Sequence, residues 1–93
     1  MTALSSIEEF PSELDAAVSR ARELARGGRP SMRRVLTELE TLQETTRAGA
    51  PPSGLRESIA FDVIAVRELE GEDDAYCEQL SRLAAFARAW PAG

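Results

Sequence analysis

The placement of glycine and proline constrains this chain more than any other feature. Breaks fall at Gly27-Gly28-Arg29-Pro30, at Gly49-Ala50-Pro51-Pro52-Ser53-Gly54 and at Gly71, and Pro11 and Pro91 mark the outer ends. Between them lie four segments whose apolar residues recur with a period near 3.6, and none alternates with period two. Four amphipathic helices with short links are expected to bury their stripes against one another. The expected fold is therefore all-α, a small antiparallel bundle of four helices in one domain spanning 1–93, with three long helices plus short turns as the variant.

The first helix is expected from Glu13 to Arg26, capped by Ser12, with a stripe of Leu14, Ala17, Val18, Ala21, Leu24 and Ala25 and with Gly27 in the left-handed cap position. The second runs from Ser31 to Arg47 on Met32, Val35, Leu36, Leu39 and Leu42, with Arg34 and Glu38 spaced to pair on its outer face. The third is read as one helix from Leu55 to Glu70, its core face carrying Leu55, Ile59, Val63, Val66 and Leu69. The fourth is capped by Asp73 or Asp74 and buries Tyr76, Leu80, Leu83, Ala84, Ala87 and Trp90. Ahead of the first helix, Ile7 and Phe10 sit on a short turn expected to pack on the bundle.

Missing residue types exclude much chemistry. There is no His, so the commonest general base and neutral metal ligand are absent, and a Ser or Cys nucleophile lacks its usual partner. All 11 basic residues are Arg, which removes Schiff-base lysine chemistry and a Walker-type phosphate loop. The single Cys77 allows no internal disulfide. No catalytic residue, metal or cofactor is expected. A net charge of −5 disfavours general nucleic-acid binding. The N-terminal residues show no secretory pattern, and the longest apolar run, Val63 to Val66, is far too short to span a membrane. The expectation is a cytoplasmic protein with no membrane role.

Three constellations remain as candidate contact groups. Glu68, Glu70, Glu72, Asp73 and Asp74 form an acidic run equal to the whole net charge. Its spacing fails the calcium-loop pattern, since the sixth position from Glu68 is Asp73 and the twelfth is Gln79. It reads as a solvated turn favouring the N-terminus of the last helix, as a surface for a basic partner, or as both. On the far side of the third helix Glu57, Phe61, Ile64 and Glu68 follow the spacing i, i+4, i+7, i+11, an apolar pair between carboxylates suited to a helical interface. The competing reading buries Phe61 and Ile64 between neighbouring helices. Asp62 falls among the core positions Ile59, Val66 and Leu69, where an unpaired carboxylate is costly, so it is expected either to reach an Arg or to lie at the edge of the stripe. Arg20, Arg22, Arg26, Arg29, Arg33 and Arg34 cluster around the first interhelical turn, but no aromatic residues are interleaved for base stacking, and pairing with the chain's own acids is the plainer reading.

The run Ile64-Ala65-Val66-Arg67-Glu68-Leu69-Glu70, followed by Asp73 opening the next helix, resembles a family of small bacterial immunity proteins that protect against a type VI secretion effector hydrolysing NAD(P)+. The likeness covers Leu55 to Arg88, and the first 50 residues match in pattern more than in residues. It implies a helical bundle that binds a cognate toxin domain and occludes its NAD(P)-binding cleft. On that reading Glu57, Glu68, Glu70, Glu72 and Asp73 would meet an electropositive cleft, with Phe61 or Ile64 as apolar anchors. A generic helical adaptor or secretion chaperone, and an antitoxin-like nucleic-acid binder using the Arg cluster, are the other classes considered. Self-association through an exposed apolar helix face is also open.

Overall fold

The computed structural model describes residues 8–90. Ile7, expected to pack on the bundle, lies outside them. Helix α1 (Phe10–Arg26) starts three residues earlier than its periodicity predicts. Pro11 does not end the segment. It sits in the first turn, where its missing N–H has no intrahelical role. The early start puts Phe10 into the core, stacked on Phe86 at 5.1 Å and edge-on to Trp90 at 5.2 Å. At the other end Gly27 keeps a right-handed φ of −73°, and it is Gly28, at φ 90°, that takes the left-handed conformation. The reversal thus falls one residue later than expected, and Pro30 opens α2 (Pro30–Arg47) in the first-turn position proline favours.

The third segment is not one helix. It divides into α3 (Ser53–Ser58) and α4 (Phe61–Leu69), separated by Ile59 at ψ 125° and Ala60 at φ −136°. Neither residue is Gly or Pro, so the break has another source. Two helices distant in sequence satisfy the backbone groups it frees. The Glu38 carboxylate of α2 accepts the Ala60 N–H at 2.9 Å, a cap supplied from outside the segment. Arg88, near the C-terminus of α5 (Asp74–Arg88), donates to the Ile59 carbonyl at 3.0 Å and forks onto the Asp62 carboxylate at 3.1 Å through both terminal nitrogens. Of the two places expected for Asp62, the structure shows the Arg partner. Leaving such backbone groups buried and unpaired would cost about 1–3 kcal/mol each.

Side-chain contacts fix the topology. Across α1 and α2, Asp15 meets Gln43 while Arg22 meets Glu40, so the chains run oppositely. Across α1 and α5 the pairs Glu13–Gln79, Ala17–Tyr76 and Arg20–Asp73 descend in the same antiparallel register. Glu38–Ala60 and Arg29–Glu68 set α2 against α4, and Ala65–Cys77 sets α4 against α5. The four long helices close into a ring, α1–α2–α4–α5 and back to α1, as an up-down-up-down bundle. The short α3 lies outside the ring and touches α5.

The core contains the expected stripes of α1, α2 and α5, with Leu24, Ala25 and Leu36 at its edge. In α4 the stripe is different. Phe61, Ala65 and Leu69 are buried, Ile64 and Val66 are half-buried, and Val63 is 48% exposed. Interrupting the helix at residues 59 and 60 resets its angular phase, which turns Phe61 inward and Val63 outward.

That inversion is measurable. Phe61→Ala should lower unfolding free energy by about 3–5 kcal/mol, as for a fully buried aromatic, whereas Val63→Ala should change it by within about 0.5 kcal/mol. Urea denaturation of the two variants checks this, and equal losses would restore the uninterrupted-helix phase.

Candidate functional site

Two turns meet at one end of the bundle, and they determine the charge of that end. The C-terminal half of α1 brings Arg20, the α1–α2 turn brings Arg29, and the end of α4 and the α4–α5 turn bring the acidic run. Arg29 forks onto the Glu72 carboxylate at 2.7 and 2.9 Å and reaches Glu68 at 3.6 Å. Arg20 holds Asp73 at 3.0 Å and Glu23 at 3.2 Å. The Glu72 carboxyl is held below the usual range by the hydrogen bond and charge of Arg29, and Arg29 and Arg20 hold their protons more firmly in return. Asp73 also caps α5, accepting the Tyr76 N–H at 3.3 Å. Asp74 accepts the N–H of Gly71, whose φ of 84° makes the turn tight. Arg22 pairs with Glu40 and Arg34 with Glu38, so of the six clustered arginines only Arg26 and Arg33 lack an acidic partner among the described residues.

These pairs rearrange the expected contact groups. Of the seven residues proposed from sequence, Phe61 is fully buried and is no surface anchor. Ile64 is half-buried and packs on the core. Glu68, Glu72 and Asp73 are engaged by Arg29 and Arg20. Glu57 is exposed but belongs to α3, so the break removes it from the line that i, i+4 spacing would have drawn. Glu70 is exposed and free of side-chain hydrogen bonds and ion pairs among the described residues.

What the phase of α4 offers instead is Val63, the one large hydrophobic side chain left exposed among the described residues. It borders a shallow recess of about 270 Å³ lined by Asp62, Val63, Val66 and Arg67 of α4 and Ser81 of α5. Arg67 and Glu70 stand on the same exposed side of α4, each without an ion-pair partner among the described residues. On α5, Asp74, Glu78, Ser81 and Ala85 are exposed at helical spacing, and Glu78 is tied to Arg82 at 2.8 Å. The face is thus a small apolar strip with one cation, Arg67, and one carboxylate, Glu70, left without ion-pair partners among the described residues.

Reactive groups elsewhere are quiet. Cys77 is buried against the Ala65 carbonyl, and burial, with Asp74 and Asp73 nearby, pushes its thiol pKa up. The Tyr76 hydroxyl donates to the Ala17 carbonyl at 2.7 Å, and burial raises its pKa far above the ordinary phenol value. Among the described residues no group of three or more His, Cys, Asp or Glu could hold a metal ion, and no helix is long and apolar enough to cross a membrane. Compared with family models, curated proteins and solved structures, the chain matches none.

The turn-to-turn pairing predicts a pH signature. The folded-state pKa of Glu72 is depressed, so its contribution to stability is present above the unfolded-state carboxylate pKa, near 4.5, and is lost as pH falls through the folded value. Glu72→Gln should therefore lower Tm at pH 7 in low salt. The difference should shrink as pH falls from 7 through the depressed folded-state value to a low pH, and shrink at about 1 M salt. Thermal melts of both chains at the two pH values test it, and a persistent difference at low pH would remove the ion pair as its cause.

Proposed function

We propose that this chain acts by binding another protein through the α4–α5 face, as an immunity protein that covers the active-site cleft of a cognate secreted toxin. The observation that carries the binding reading is the exposure of Val63 beside an open recess, with Arg67 and Glu70 unpaired on the same side of α4. An apolar centre flanked by charges free to pair is the composition of a small protein contact. The molecule's 39 × 27 Å profile leaves room for the roughly 800 Å² per partner that a standard contact buries. The toxin class, an NAD(P)+-hydrolysing effector, comes from the resemblance around Ile64 to Glu70. A net charge of −5 steers a partner whose cleft is electropositive, as a nucleotide-binding cleft is. The absence of His from the chain fits a role in which occlusion rather than chemistry does the work.

An antitoxin-like nucleic-acid binder fits less well. It would need the Arg cluster free to meet phosphates, and Arg20, Arg22, Arg29 and Arg34 are already held by carboxylates.

Co-expression with the toxin encoded by the adjacent gene is the test. The chain should restore growth and co-purify with that product. Val63→Asp should weaken capture by about 30-fold or more, as for an interface hot spot, and Glu70→Arg should weaken it too. Both variants should keep the helical circular-dichroism signal. Growth rescue with unchanged affinity in both variants would move the contact to another face. Capture of the adjacent product without growth rescue would turn the reading toward an adaptor or secretion chaperone.

A further inference from the structure

The connection between α2 and α4 is held in an unusual way. Its two ends are anchored, with Pro51 fully buried and Ile59 8% exposed. Between them α3 buries none of its six residues, and only Leu55 leans on the core. A helix of this length has no stability of its own, because nucleation costs more than its few hydrogen bonds return. Its main contact with the four bundle helices is with α5. Local contacts add little: Arg56 reaches back to the Pro51 carbonyl at 3.0 Å, and the Ser58 hydroxyl donates to the Leu55 carbonyl at 3.0 Å. What fastens the C-terminal end is the pair of side chains from α2 and α5. Glu38 accepts from Ala60 N–H, and Arg88 spans the Ile59 carbonyl and the Asp62 carboxylate.

We infer that residues 52–58 form a strap that opens locally while the α1–α2–α4–α5 bundle stays folded, with Arg88 and Glu38 as its catch. The catch joins residues 22 and 29 positions apart in sequence, so no interaction within the strap can replace it. Arg88 is the stronger half, because one guanidinium satisfies both the last free carbonyl before the break and the first-turn carboxylate after it. Asp62 also walls the Val63 recess. Opening of the strap releases the Ile59 carbonyl from Arg88, while Arg88 and Asp62 stay paired across α4 and α5. The inference stands on the break and its catch, and does not depend on what occupies the recess.

Native-state hydrogen exchange resolved by peptide is the test, on the full chain. In the unaltered protein the amides of 53–60 should exchange at least about 100-fold faster than those at the centres of α1, α2 and α5, as for a subglobal opening. Arg88→Ala and Glu38→Ala should each speed 53–60 by a further factor of about 10 and leave the α1 and α2 centres within about twofold. Exchange of 53–60 in step with the bundle core in the unaltered protein overturns the inference without recourse to any variant. Uniform acceleration of every helix in both variants also overturns it, since the two side chains would then support the bundle rather than the strap.

Discussion

The backbone at Ile59 and Ala60 needs a partner for one carbonyl and one N–H, and the rest of the molecule is arranged around meeting that need. Glu38 and Arg88 supply it from α2 and α5, on opposite sides of α4 in the ring. Their positions fix where α4 begins, and the start of a helix fixes its angular phase. From that phase follow the burial of Phe61, Ala65 and Leu69, the exposure of Val63, and the recess beside it. A continuous helix through this stretch would satisfy the same backbone groups internally. It would also carry Asp62 into the core between Ile59 and Val66. The broken form places that carboxylate at the surface edge of α4, 14% exposed and forked to a guanidinium. Avoiding a buried, unpaired charge outweighs the loss of two helical hydrogen bonds, since each bond is worth about 0.5–1.5 kcal/mol net and an uncompensated buried charge costs several.

A second constraint acts at the other end of the bundle. The acidic run around the α4–α5 turn equals the chain's whole formal excess charge, and six of its 11 arginines lie in or near the α1–α2 turn, on the adjoining stretches of both helices. Antiparallel packing of α1 on α5 and of α2 on α4 brings the two turns to the same end, where Arg20 and Arg29 neutralise Asp73, Glu72 and part of Glu68. Each such surface pair contributes little, about 0–1 kcal/mol, but together they favour one register over slipped alternatives. Charge that looks like a binding surface in a list of residues is therefore spent on specifying the fold.

How far the sequence spoke depended on whether a feature was local. The helices α1, α2 and α5 were legible because their apolar period, their flanking Gly and Pro and the Asp73 cap all lie within a few residues of one another. The small shifts at Phe10 and Gly28 reflect proline's tolerance in a first turn and the freedom of two adjacent glycines. The break in the third segment was not legible by those signals, since no Gly or Pro marks it and its partners lie in other helices. One local misfit did point to it. A carboxylate at residue 62 among apolar positions contradicts an uninterrupted stripe, and re-phasing the wheel so that Asp62 leaves the core brings Phe61 into it. The surface of the third segment was legible in part: Glu57 and Glu70 are exposed, but Phe61 is buried and Val63 takes the outer position, because face assignment inherits every error in phase.

The same reasoning narrows what any partner can use. Contact groups must be exposed, and their pairing capacity must be unspent. Of the acids between residues 57 and 74, Glu68, Glu72 and Asp73 fail the second condition through Arg29 and Arg20, and Asp62 fails it through Arg88. A partner that recruited them would first have to break an ion pair and would gain only the difference. Glu57 and Glu70 meet both conditions, as does Arg67 among the bases. Of these, Arg67 lines the recess beside Val63 and Glu70 stands one turn beyond Val66, while Glu57 lies across the break. Apolar surface follows the same logic, because among the described residues Val63 is the one large hydrophobic side chain left exposed. The groups left over after folding, rather than the most charged stretch of sequence, are therefore the ones a partner on the α4–α5 side would engage at least cost.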